Sequence, residues 1–188
     1  MLKRLFAASA LLLLAGLTQA APVEVVMKTS KSDITLALDP DKAPKTVANF
    51  LRYVDEGFYD GTVFHRVISG FMIQGGGLTP DMHKKPTHEP VANEAKNGLK
   101  NVRGSIAMAR TRDPDSATAQ FFINHRDNPN LDYPSFDGWG YAVFGKVTRG
   151  MDVVDAIAAV KTTHSNGRGN VPVEPVIIKS VSRKEVSK

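Results

Sequence analysis

Seven short runs of β-branched and aromatic residues constrain this chain more than anything else in it: VEVVMKT, DITLAL, TVFHRVI, GSIAMA, QFFIN, YAVFGKV and PVIIKSV. None exceeds seven residues, and most are separated by segments rich in Gly, Pro, Asn and Asp. Runs of that length and composition read as strands, not as helices or membrane spans. Only two other segments carry a helical period. In DPDKAPKTVANFLRYVDEGF, Val47, Phe50, Leu51 and Val54 recur at i, i+3, i+4 and i+7. Asp39 or Asp41 is the expected cap there, Pro44 sits near the first turn, and Gly57 is placed to end the helix. In GMDVVDAIAAVK, Val153, Val154, Ile157 and Val160 are apolar, and Asp152 and Asp155 lie near the positive end. Many short strands with two helices predict a mostly β fold, a closed eight-stranded antiparallel β-barrel capped by two α-helices.

The first twenty residues, MLKRLFAASALLLLAGLTQA, stand apart. Lys3 and Arg4 precede an apolar run from Leu5 to Leu17, and Thr18 and Ala20 supply small residues before a cleavage point near Ala21. This is the layout of a secretory signal peptide. The run is shorter than the ~20 residues a membrane-spanning helix needs. The expectation is therefore a leader at 1–20 and one domain at 21–188, exported and free of the membrane after cleavage. With no cysteine in the chain, neither disulfides nor thiol chemistry are available to that domain. Removing Lys3 and Arg4 lowers the formal charge from +5 to +3, and the remaining basic residues are scattered. No basic stripe or stacking platform marks a nucleic-acid surface. No strip of exposed apolar residues predicts anything beyond a monomer.

Most catalytic signatures fail. Gly75-Gly76-Gly77 is not followed by Gly-Lys-Ser/Thr, so it is not a phosphate-cradling loop. Ser69-Gly70 and Gly104-Ser105 lack the flanks of a nucleophile elbow. His83, His88 and Glu89 match a metal site only loosely, and a solvated loop from Thr79 to Leu99 is the simpler reading. No cofactor or metal is expected. One oddity remains. In FHRVISGFMIQGG, strand alternation would put Phe64, Arg66 and Ile68 on one face. A guanidinium cannot shed its charge, so Arg66 among apolar neighbours calls for a purpose.

That segment, taken with SIAMARTRDPDSATAQFFIN and FGKV, resembles the cyclophilins, the peptidyl-prolyl cis–trans isomerases, over about Val23 to Ser182. GWGYAVFGKV and the leader resemble the exported bacterial branch. The resemblance implies an isomerase of X–Pro bonds in which Arg66 is the catalytic arginine. It implies that Phe71, Met72, Phe122 and Leu131 hold the proline ring, and that Gln74 and backbone groups near Ala109 and Arg110 bond the peptide. Gln120 would support Arg66 or contact the chain, Tyr141 would stand where many relatives carry histidine, and His65 would lie beside the site. The implied partners are proline-containing unfolded or newly exported polypeptides, in the periplasm.

The match departs at the pocket rim. Relatives often carry an aromatic just before the Leu-Asp pair, where this chain has Asn130 before Leu131-Asp132. An alternative alignment brings Phe136 or Trp139 to that place, and the departure predicts weak binding of cyclosporin. Arg110 and Thr111 replace smaller or amide residues, which bears on sequence preference around the proline. Two rival readings are a proline-peptide-binding chaperone without significant turnover, and a metal-binding barrel using His83, His88 and Glu89.

Overall fold

The computed structural model describes residues 23–184, and the leader expected at 1–20 lies outside them. Ten strands and two α-helices follow in chain order: β1 (Val23–Thr29), β2 (Asp33–Leu38), α1 (Pro44–Asp55), β3 (Phe64–Ile68), β4 (Met72–Gly75), β5 (Ser105–Met108), β6 (Phe121–Asn124), β7 (Val143–Arg149), α2 (Met151–Ala158), β8 (Thr162–Ser165), β9 (Arg168–Pro172) and β10 (Ile178–Arg183). Eight of the strands form one antiparallel sheet in the order β10-β1-β2-β7-β5-β6-β4-β3, and β8 and β9 pair separately as a hairpin.

The expected closed barrel needs correcting at one seam. The regular ladder ends at β3 on one side and β10 on the other, so the eight-stranded sheet is open there. The segments flanking those strands span the gap through a lone bridge, Val63 to Ile177, and through Phe64 N–H to Val176 O at 3.0 Å and Ile178 N–H to Thr62 O at 2.8 Å. Pro175 and the irregular turn before β10 interrupt any longer ladder, because proline has no N–H to give it.

Period-2 alternation fills the inside of the sheet. Met27, Ile34, Leu36, Phe64, Ile73, Ile106, Phe121, Ile123 and Phe144 are buried in one cluster with the apolar faces of both helices. The four apolar positions that the period of α1 predicts, Val47, Phe50, Leu51 and Val54, are buried, as are Thr46 and Tyr53, which it did not single out, and Phe50 meets Phe121 edge-on at 5.8 Å. Fully burying such side chains contributes about 1.5–3 kcal/mol apiece. The α1 cap differs from expectation. Its N-cap is Ala43, and Asp39 instead accepts from Lys42 N–H in the preceding turn. The free amides of the first helical turn go to Glu94, whose carboxylate accepts from Lys45 N–H at 3.1 Å and Thr46 N–H at 2.8 Å. A carboxylate at a helix N-terminus suits the exposed amides and the dipole alike. The connection from Thr79 to Leu99 thus runs over the surface and also caps a helix.

Candidate active site

On its outer side the same sheet carries a second, smaller cluster: Met72, Ala107, Phe122, Leu131 and Val143, with Ile68, Phe71, Ala109 and Tyr141 packed against it. Four of its strands lay one side chain each along a continuous row. Ala107 on β5 is paired with Phe122 on β6, Phe122 with Gln74 on β4, and Gln74 with Arg66 on β3. An apolar end and a cationic end thus share one line across the sheet.

Alternation alone does not put Arg66 there. Phe64 pairs with Gly75 and Arg66 with Gln74, so β3 uses two steps where β4 uses one, and His65 is the extra residue of a β-bulge. The expectation that Phe64 and Arg66 share a face is therefore wrong. Phe64 is fully buried in the inner core, while Arg66 and Ile68 lie on the outer, half-buried side. The bulge turns a residue that would have entered the core out towards the cleft.

A cavity of about 120 Å³ lies over this row, lined by Arg66, Phe71, Met72, Gln74, Ala109, Arg110, Phe122, Leu131 and Tyr141. Nine of the eleven residues expected at the site meet there; His65 and Gln120 do not line it. Gln120 acts from behind. Its Oε1 accepts from Gln74 Nε2 at 3.2 Å, and Gln74 Oε1 accepts from Arg66 Nη1 at 3.4 Å. The two amides thus form a short relay that ends on the guanidinium. No carboxylate pairs with Arg66 among the described residues. The glycine run explains how the relay fits. A Cβ on Gly77 would stand 2.4 Å from Gln120 Cγ, and one on Gly76, whose φ is +78°, would stand 2.5 Å from the Phe121 ring. These glycines let β6 and its preceding residue close in.

His65 is 4% exposed, and its Nδ1 finds no hydrogen-bond partner among the described residues. Burial, with the positive charge of Arg168 second, holds its pKa down to about 4. It is a neutral, packed ring at the bulge.

The Arg110 side chain is taken up by contacts within the protein. It is only 2% exposed. Nε donates to Gly140 O at 3.0 Å, Nη1 to Thr111 O at 2.9 Å and Nη2 to Asp137 Oδ2 at 2.6 Å. The guanidinium also lies 4.5 Å from the centre of the Tyr141 ring, which meets Phe122 edge-on at 5.6 Å. Arg110 ties the loop from Asp132 to Gly140 onto the pocket wall, and its hydrogen bond holds the Asp137 carboxyl below its ordinary range. That loop settles the rim. Phe136 is 83% exposed, Trp139 lies 5.4 Å from Lys96 Nζ, and neither these two nor Asn130 lines the cavity. The apolar rim is Leu131 and Tyr141.

Behind the pocket runs a chain of buried asparagines that sequence reasoning missed. Asn128 Nδ2 donates to Phe71 O at 2.9 Å and to Asn124 Oδ1 at 2.7 Å. Asn124 Nδ2 reaches Asn101 Oδ1 at 3.2 Å, and Asn101 N–H reaches Asp132 Oδ1 at 2.7 Å. These bonds fix the two walls, Phe71 and the segment around Leu131, relative to each other. The metal reading finds no such assembly. His83 bonds Asp81, His88 Nε2 lies 2.7 Å from Glu56 Oε2, and no cluster of three metal-ligating side chains occurs among the described residues.

Comparison with known proteins agrees with this geometry. Residues 24–183 match the family model for "Cyclophilin type peptidyl-prolyl cis-trans isomerase/CLD". The chain is 61% identical to peptidyl-prolyl cis-trans isomerase cyp18 of Streptomyces antibioticus, over 83% of this chain and 95% of that relative. It is 57% identical to peptidyl-prolyl cis-trans isomerase B of Escherichia coli K12, over 86% of this chain and 99% of that relative. Among solved structures, a cyclophilin type peptidyl-prolyl cis-trans isomerase of Cryptosporidium parvum superposes with a TM-score of 0.73 at 26% identity, covering 88% of this chain and 99% of that one. The same protein solved in the presence of the dipeptide Ala-Pro gives a TM-score of 0.72, again at 26% identity, covering 87% of this chain and 99% of that one. The chain belongs to the cyclophilin-type peptidyl-prolyl cis–trans isomerase family.

Proposed function

We propose that this protein accelerates rotation about X–Pro amide bonds, with the proline ring seated in the cavity and Arg66 as the catalytic residue. The observation that carries this reading is the guanidinium of Arg66. It has no carboxylate partner among the described residues, is oriented by Gln74, and lines a cavity whose other walls include Phe71, Met72, Phe122 and Leu131.

The chemistry follows from the amide. Its planarity comes from delocalisation of the nitrogen lone pair, which sets a rotation barrier of about 18–20 kcal/mol. As the bond twists, the lone pair localises on nitrogen and becomes a hydrogen-bond acceptor. A charged donor held at that point stabilises the twisted amide over the planar one. Free prolyl isomerisation takes about 10–100 s at room temperature. A 10⁴-fold acceleration requires about 5.5 kcal/mol. One charge-assisted hydrogen bond contributes about 1.5–3 kcal/mol. The remainder falls to the apolar pocket, which removes water from the planar amide, and to backbone groups of Ala109 and Arg110, which line the cavity and would hold the flanking peptide. Phe71, Met72, Phe122 and Leu131 bind the ring, while Gln74 and Gln120 orient Arg66. No step in this scheme calls for a cofactor.

The substrates are unfolded or newly exported chains, and the setting is the periplasm. The support for export is the signal-like pattern of residues 1–20. Exchange NMR on a short X–Pro peptide tests the activity. Added protein should make cis–trans exchange visible at substoichiometric concentration. Saturable binding without faster exchange would instead favour a proline-peptide receptor.

A further inference from the structure

His125 lies outside the cavity and has no part in the scheme above, yet it joins the pocket wall to the second helix. Its ring accepts a hydrogen bond at Nδ1 from Gly70 N–H at 2.9 Å, and the backbone N–H of His125 donates to Phe71 O at 3.0 Å. Because a backbone amide can only donate, Nδ1 must be bare and the ring proton must sit on Nε2. That nitrogen lies 3.1 Å from Asp155 Oδ1 on α2. Asp155 is held in turn by Arg103, whose Nη2 contacts both carboxylate oxygens at 2.8 Å while Nη1 donates to His125 O at 2.7 Å. The ring is thus bonded at Nδ1 and lies against the Asp155 carboxylate at Nε2, with its side chain 19% exposed.

The residue this clamp holds is consequential. Gly70 and Phe71 form the turn between β3 and β4, and Phe71 lines the cavity beside Arg66. The turn itself closes with a single Phe71 N–H to Ile68 O bond at 3.1 Å. The anchors that reach it from other parts of the chain are His125, on two sides, and Asn128.

We infer that His125 is a positioning residue for the proline pocket: with Asp155 and Arg103 it clamps the Gly70–Phe71 turn and so sets where the Phe71 wall stands. This rests on the isomerase reading of the cavity. A wall that moves weakens planar and twisted amides alike, so its effect falls on KM and leaves kcat in place.

The test compares the full chain with His125→Leu and His125→Asn, measuring exchange of a short X–Pro peptide and peptide affinity on the same samples. His125→Leu removes the acceptor and should raise KM about three- to tenfold, the worth of one ordinary hydrogen bond. The kcat should stay within about twofold. His125→Asn places an amide oxygen near Nδ1 and should recover most of the loss. Equal kinetics in all three proteins, or the same loss in both variants, would overturn the clamp in favour of simple packing. Nitrogen-15 NMR of the wild-type histidine rings decides the matter even if His125→Leu fails to fold. The account requires a bare Nδ1 and a protonated Nε2 on His125, and a proton on Nδ1 would overturn it. If wild type binds the peptide without accelerating exchange, the isomerase reading falls. In that event the same leucine-to-asparagine contrast in affinity still supports or overturns the clamp.

Discussion

Phe121 and Phe122 are adjacent on β6, both nearly inaccessible, and they serve opposite sides of one sheet. Phe121 enters a core where Phe50, Tyr59 and Phe64 surround it edge-on. Phe122 backs a cavity whose other walls include an arginine, a glutamine and a tyrosine. The inner side is almost wholly apolar, its few polar atoms, such as the Tyr59 hydroxyl that donates to Ala119 O at 2.9 Å, being satisfied within the core. The outer side mixes apolar walls with polar groups, each held by named bonds: Arg66 by Gln74, Gln74 by Gln120, Arg110 by Gly140 and Asp137. One set of strands can thus be built for stability on one face and for chemistry on the other. The bulge at His65 is what assigns the arginine to the second.

Truncating the two phenylalanines in turn separates the two faces. Phe121→Ala should cost about 3–5 kcal/mol of stability, read from denaturant melts, with the folded fraction retaining its kcat/KM. Phe122→Ala should cost less stability, because its cavity is already open to solvent, and should raise KM tenfold or more. Equal stability losses with equal activities would erase the distinction between the faces.

A second effect comes from the bulge residue. Burial holds the folded-state pKa of His65 near 4, against an ordinary value of about 6.5. The unfolded chain therefore binds the proton more readily between those values, and stability falls as pH drops through that window. The shift sets an upper limit of order 3 kcal/mol. Thermal melts from pH 7 to pH 4 should show this slope, and His65→Phe should flatten it. The paired carboxylates of Asp55 and Asp155 also titrate below their ordinary values, so their loss lies under the histidine window.

Smaller again is the amide relay. Gln74→Leu removes the acceptor that orients Arg66 and should lower kcat/KM about tenfold, or ~1.4 kcal/mol, with little loss of stability. The smallest effect belongs to the surface. The Arg183–Asp55 pair has short contacts, 2.6 and 2.8 Å, but both side chains are about half exposed. Asp55→Asn should cost under about 1 kcal/mol and leave exchange rates alone.

Much of this arrangement is legible in the sequence because it depends on short-range periods. Each of the seven apolar runs contributes a strand, and the four predicted apolar positions of α1 are buried, with Thr46 and Tyr53 widening that face. The family resemblance, carried by FHR…GFM.QGG and QFFI, finds most of the cavity lining. What was hidden depends on contacts distant in sequence. Nothing in FHRV signals a bulge, since Gly75 and Gln74 impose it from the neighbouring strand. Glu94 caps α1 from 48 residues away, and Arg110 is spoken for by Gly140 and Asp137. The β8–β9 hairpin is polar and largely exposed, with burial confined to Val171 and Pro172 at its end, so it carries no apolar alternation to find.

The measurement that bears most directly on the central claim is exchange NMR of an X–Pro peptide with Arg66→Ala, with affinity determined in the same tubes. If Arg66 donates to the twisted amide nitrogen, the variant loses about a hundredfold in exchange rate, the ~3 kcal/mol limit of one charge-assisted bond, while its affinity changes only a few-fold. An Arg66→Ala protein that still accelerates exchange within a few-fold of wild type would contradict the account, and the guanidinium would then serve only to bind the peptide.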